Sequence, residues 1–497
     1  VNGASFFESV IAASSGERTL HRDALDAFLN AGSLKESLVQ LKRLITIPEN
    51  CDKRRLINII QFYIAEIDSR LNAQLNVILH DECFQRLEAS WCGVYFLTGH
   101  LNGSESVKIK LLDVSWRELS KDFGRAIEFD QSQLFRKVYN AEYDIAGGEP
   151  YGVLLGDYYV PHRPTKDMPY DNIGVLRSIA TVASAAFAPF ITSTHPAFFG
   201  VSQFSELSRH INLDALFKSK EYMKWARMRE DIDTRFVGMT VPRVLMRRPY
   251  TDDVFRADGF PFAETIDGER DNYLWGNACY AFGSILIRAF RKHGWFADIR
   301  GTYQGELDGG VVNDLVVADF ATDSHGAVLK YTTDVLITDE QEKELSELGL
   351  IPLSHNPHSE YAIFYSNQSL HGHKHYDDEL SRANARLGSM LQYILCVSRF
   401  AHYLKVMGRE KVGSFLSADE CQHYFKKWLM QFAISSDTPS YEMRARHPLN
   451  DCNIEIREVP GRPGIYGCVV QLKPHAQIDQ LMSSIKLVTE LVAAKIT

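Results

Sequence analysis

Apolar positions recur along this chain with two periods, and the change from one to the other divides it. Between residues 53 and 79, Leu56, Ile60, Ile64, Ile67, Leu71, Leu75 and Ile78 fall at helical spacing and predict one long helix. Upstream, residues 1–48 read as short amphipathic helices punctuated by Gly16 and Gly32. There Phe6, Phe7, Val10 and Ile11 form an i, i+1, i+4, i+5 stripe, with Ser5 as a cap and Glu8 three residues on. From residue 83 to about 338 strand and helix patterns alternate. Residues 107–114 (VKIKLLDV) alternate apolar and charged side chains, as a half-buried strand does. Residues 149–158 read as a buried strand with glycine close to another backbone. Residues 173–187 form a tightly packed helix rich in Ala and Ser, 305–310 a loop, and 340–348 a charged helix.

The strongest helical pattern spans residues 377–407, where Leu387, Leu391, Ile394, Leu395, Phe400 and Leu404 supply one broad apolar face. The polar, His-rich stretch before it, 354–374, predicts a surface crossing between domains. Beyond it the period changes again. Residues 453–459 and 465–472 read as strands flanking Pro460-Gly461-Arg462-Pro463-Gly464, a hairpin signal. Ile478, Leu481, Met482, Ile485 and Val492 predict a last amphipathic helix. A lone two-stranded hairpin is marginal in water, and its edges invite further strands. Strands donated by neighbouring subunits, meeting the hairpin at Ile454, Ile456, Val469 and Gln471, would complete it, as would pairing within its own domain. The fold class expected is therefore mixed α/β (α+β) in three parts: a helical arm over 1–60, a large mixed domain over 61–375, and a C-terminal α+β domain over 376–497 ending in the hairpin.

Composition narrows the function. Of 497 residues, 45% are hydrophobic and 24% charged, enough to bury a large core. A net charge of −9, from 54 basic and 63 acidic residues, argues against nucleic acid as the main partner. Eight cysteines without a CxxC pair suit reduced, buried thiols in a cytoplasmic protein. No signal peptide opens the chain, and the weakly polar run 179–191 is shorter than the roughly 20 apolar residues a membrane span needs. The chain carries no GxxxxGK[ST], HExxH or GxSxG. Gly147 to Gly152 precedes a strand and reads as a turn. His371, His373 and His375, followed by Asp377 and Asp378, alternate as metal ligands can, but read as a solvated loop, as Asp252-Asp253 does. No metal or cofactor is expected.

Several long segments resemble the TssC/VipB family, the large subunits of type VI secretion sheaths. They are EFDQSQLFRKVYNAEYDIAGGEPYGVLLGDY (128–158), FAPFI (187–191), YLWGNACYAFG (273–283), ITDEQEKELSELGLIPL (337–353), NARLGSMLQYILCVSRFAHYLKV (384–406) and the hairpin region 460–477. They stand in family order over some four fifths of the chain. Cys92 follows Trp91 where the family typically has arginine, the loop at 371–375 replaces a lysine-rich stretch, and 51–63 matches in pattern only. The resemblance implies a cytoplasmic, non-enzymatic subunit that assembles with a small subunit, TssB/VipA, into a helical sheath around an Hcp tube. That sheath stands on a membrane-anchored baseplate, contracts, and is recycled by the ClpV unfoldase. It further implies that Phe6, Phe7, Val10 and Ile11 engage the unfoldase and that the C-terminal domain lines the tube. Lys224 and Arg227, one helical turn apart, and Asp339, at a helix start where it would cap, become candidates for contacts between protomers. Two rival readings are a phage-tail-like sheath that assembles without a second subunit and an α/β enzyme without a linear motif.

Overall fold

The computed structural model describes residues 27–491 apart from 29, 45–51, 102, 104–105, 167, 210, 252–259, 267–269, 303–307, 322–327, 356–360, 373–376, 412–417, 435–439, 459–465 and 476–484. The chain divides into two compact units, Val1–Leu79 with Tyr250–Thr265, and His80–Pro249 with Ile266–Thr497.

In the first unit, α1 (Leu34–Leu44) and α2 (Lys53–Leu79) realise the helical periods of the sequence. The segment 260–265 is tied to α2 by side-chain amides. Asn72 donates to the Pro261 carbonyl at 2.9 Å, and the Thr265 N–H donates to Asn76 Oδ1 at 2.8 Å. No residue of α2 is buried, so its apolar stripe lacks a core of its own.

The second unit opens with α3 (Glu82–Gly99), capped by Asp81, whose carboxylate accepts from the Cys83 and Phe84 N–H groups. Its centre is a parallel sheet of β1 (Leu154–Val160), β2 (Phe190–Thr194), β3 (Val237–Val241) and the short β4 (Ile351–Pro352), side by side in that order. Every residue of β2 and β3 is buried, as strands covered on both faces require. On one face Phe190, Val237, Met239 and Val241 pack with α4 (Asn172–Ala186) and with Trp225 of α5 (Met223–Arg229). On the other, Ile191 and Ile351 meet α6 (Ala278–His293), which is buried along most of its length. Two glycines set how closely α3 lies on α6. A Cβ at Gly93 would enter the Tyr280 ring, and one at Gly283 would meet Leu97 at 2.9 Å.

After α7 (Asp339–Glu347), the helical pattern of 377–407 forms two helices, α8 (Glu379–Gly388) and α9 (Leu391–Lys411), broken at Ser389. There the Ser369 N–H and hydroxyl both donate to the Ser389 carbonyl, which diverts it from the helical ladder. A third core joins α9 and α10 (Ala418–Met430) to the inner faces of β5 (Leu449–Glu458) and β6 (Tyr466–Pro474).

Three expectations are corrected. Residues 107–110 alternate half-buried and exposed as foreseen, but Leu111 and Leu112 are both exposed and the segment belongs to none of the described strands. The last amphipathic helix is replaced, over its described part, by strand β7 (Ile485–Leu491), antiparallel to β6. Ile485, Leu487, Thr489 and Leu491 alternate with Lys486, Val488 and Glu490, a period of two that the open flank of β6 satisfies. The hairpin is consequently a three-stranded sheet with β6 in the middle.

Candidate assembly surfaces

Helix α3 has two unlike faces. Ala89, Gly93 and Leu97 are buried, Leu97 in the core around α6 and Gly93 against Tyr280, while Glu88 anchors the helix through a bidentate pair with Arg247 at 2.5 and 3.2 Å. Phe84, Leu87, Trp91 and Tyr95 lie at i, i+3, i+7 and i+11 on the outer face, where Trp91 is 62% and Tyr95 81% exposed. Four large apolar side chains on one helical face form an exposed stripe of the kind that marks an interaction surface. Its pattern was available in the sequence, but periodicity alone cannot distinguish a face turned inward from one turned out.

The charged candidates sit on a well-anchored shelf. Trp225 and Met228 of α5 are buried, and Arg229 donates to the Leu370 and Glu347 carbonyls at 3.0 and 3.1 Å. Burial without a carboxylate pushes the Arg229 guanidinium down to about 10. The other face presents Lys224 and Arg227 to solvent. Lys224 pairs with Asp171 at 3.6 Å, and among the described residues no ion pair joins Lys224 or Arg227 to Asp339. Asp339 is not the cap of its helix. Thr338 is, accepting from the Gln341 N–H at 3.3 Å while Gln341 Oε1 accepts from the Thr338 N–H. Asp339 stands one residue inside, exposed, where its charge still favours the positive end of α7.

The strand candidates separate. Ile454 and Ile456 are buried on the inner face of β5, an edge strand. Part of that edge is taken up, since Ile456 N–H donates to Gln422 Oε1 at 3.1 Å and Leu449 bridges Ala433. Val469 and Gln471 lie on β6 and are paired on both sides, Val469 with Glu455 and Val488, Gln471 with Asn453 and Lys486. A donated strand cannot pair with these two while β7 is in place; the available edges are β5 and β7.

Phe6, Phe7, Val10 and Ile11 fall outside the described residues, as do His373 and His375. His371 Nδ1 lies 2.9 Å from the Asp231 carbonyl. Among the described residues no cluster of three His, Cys, Asp or Glu could hold a metal ion, and no helix is long and apolar enough to cross a membrane.

Comparison with known proteins identifies the family. Residues 61–371 match the family EvpB/VC_A0108, tail sheath N-terminal domain, and residues 380–491 match EvpB/VC_A0108, tail sheath gpW/gp25-like domain. The chain is 37% identical over 443 residues to the type VI secretion system sheath protein TssC1 of Pseudomonas aeruginosa, covering 88% of this chain and 87% of that one. A contracted sheath complex of the extracellular contractile injection system PVC, solved by cryo-EM, aligns at a TM-score of 0.30 and 10% identity over 79% of this chain and 86% of that one. Family matches over most of its length and a relative of this identity place the chain in the VipB tail sheath family, as a large subunit of the type VI contractile sheath.

Proposed function

We propose that this subunit pairs through α3 with a small helical subunit of the TssB/VipA kind. The pair then stacks into a cytoplasmic sheath around an Hcp-type tube, rooted on a baseplate. The exposed stripe Phe84, Leu87, Trp91 and Tyr95 is the observation that supports a second polypeptide. Burying each such side chain fully contributes about 1.5–3 kcal/mol, which offsets part of the cost of association. On this reading the protein is structural rather than catalytic, and contraction draws on energy stored in the lattice, released as many interfaces shift together. The helical arm 1–60, the body 61–375 and the inner domain 376–497 are the parts that would move. Phe6, Phe7, Val10 and Ile11 would then be the handle for a ClpV-type unfoldase.

Co-expression with the small subunit tests the pairing. Trp91→Ser with Tyr95→Ser should weaken it by at least about 2 kcal/mol, roughly thirtyfold, and leave the large chain unpaired in sedimentation. Undiminished pairing would move the interface elsewhere. Cylinders formed by the large chain alone would favour a self-assembling, phage-type sheath. Phe7→Ser with Ile11→Ser should abolish unfoldase binding while sheaths still form; failed assembly would make that stripe structural.

A further inference from the structure

One face of α9 carries Arg399, His402, Lys405 and Arg409, spaced so that all four line up along the helix. The ridge they form meets mainly ring faces and backbone carbonyls. Arg399 lies 5.5 Å from the Phe290 ring centroid and 4.8 Å from that of Tyr403. His402 Nε2 is 2.9 Å from the Ala186 carbonyl, at the last residue of α4. Lys405 donates to the Tyr139 hydroxyl at 2.9 Å, stands 3.8 Å from the Tyr143 ring centroid, and pairs with Asp144 at 3.4 Å. Arg409 donates to the Tyr143 carbonyl at 2.6 Å and also to the Ile145 carbonyl. Lys405 and Arg409 as cations, and His402 as a neutral imidazole, meet what the end of a helix presents: carbonyls without intrahelical partners and the negative pole of the dipole.

Both gripped elements depart from ordinary backbone. Arg136–Tyr143 is a π-helix, closed by an i to i+5 bond from the Asp144 N–H to the Tyr139 carbonyl at 3.0 Å. Runs of this kind are rare, and each bond closes around one more residue than an α-helical bond does. The return passes so close that a Cβ at Gly148 would enter the Glu142 carbonyl. Past the end of α4, Phe187 has φ 50° and ψ 36°, a left-handed conformation that costs a bulky residue about 1–3 kcal/mol. Neither shape is favoured by local sequence, so contacts from outside must hold both. The ridge on α9 makes such contacts with each. It also bridges the two family matches, since α9 lies within 380–491 and the π-helix and α4 lie within 61–371.

We infer that the cationic ridge of α9 and the π-helix form a releasable clasp between the gpW/gp25-like part of the chain and its tail-sheath body. Closed, it makes the two parts move as one; open, the π-helix expels its extra residue and tightens toward an α-helix. Its use in contraction rests on the sheath reading, whereas its opening is a property of the subunit itself.

Hydrogen exchange on the full chain, co-purified with its small subunit, separates the two. Lys405→Met with Arg409→Met should speed exchange of amides 139–149 at least tenfold while amides of β2 and β3 keep their protection. Lys405→Arg should restore it. Deleting Asn140, which removes the extra residue directly, should also change exchange in that segment alone. Lys426→Met with Lys427→Met, on exposed positions of α10, is the control. Unchanged exchange at 139–149, or a rise spread evenly over the central sheet, overturns the clasp. In sheaths, the double variant should assemble yet contract incompletely by electron microscopy; full contraction overturns the mechanical role. Wild-type chains that build no sheath would instead overturn the assembly reading and leave the exchange result standing.

Discussion

At Gly93 the absence of one carbon decides how near α3 can lie to Tyr280 of α6. Gly93→Val should cost about 1–3 kcal/mol by overpacking, seen as a lower urea midpoint, with no loss if the ring can swing away. Two histidines make a pH prediction. His162 stacks on Tyr222 at 4.2 Å and burial pushes it down to about 4; His402, also buried, goes down to about 3. Both groups bind fewer protons folded than unfolded below an ordinary value near 6.5, so stability should fall as pH drops from there toward 4 and 3. His162→Phe keeps the stack and should flatten part of that acid slope; an unchanged slope would assign it to other groups. Lys224 gives a prediction in the lattice. Its pair with Asp171 is exposed on both sides and worth about 0–1 kcal/mol, so it can exchange partners freely. Lys224→Glu should shorten sheaths and Asp339→Lys partly restore them, with heterodimer formation as control. Two normal single variants would remove the pair from the interface. Little at this scale was legible beforehand: the sequence named Gly283 within a motif, but not that Leu97 would press on it.

Among the elements, the helices expected at 53–79, 173–187 and 340–348 form at 53–79, 172–186 and 339–347. The failures share a cause. Residues 485–491 carry a two-residue alternation inside a wider helical spacing, and a waiting strand flank decided between them. The break at Ser389 depends on Ser369, a partner twenty residues away that no local window contains. The π-helix gave no signal, since an inserted residue leaves the apolar spacing almost intact. Ending the chain at residue 484 should expose the second flank of β6, and amides 467–472 should then exchange faster on that side. Equal protection would mean that β7 is not what covers it.

For the molecule as a whole, the sequence resemblance led directly to the sheath family, since long motifs in order require no knowledge of contacts. What it could not supply was which apolar faces stay outside, because helical spacing looks alike on a core face and a docking face. The outer face of α3 carries a consequence for watching the protein at work. Of its six tryptophans, Trp116, Trp225, Trp275 and Trp295 are buried and Trp428 is half-buried, which leaves Trp91 alone in bulk water. Its indole emission is therefore a built-in optical probe of that surface. Quenching by iodide should strike Trp91 first in the isolated chain. A blue shift on mixing with the small subunit would time the encounter without any dye.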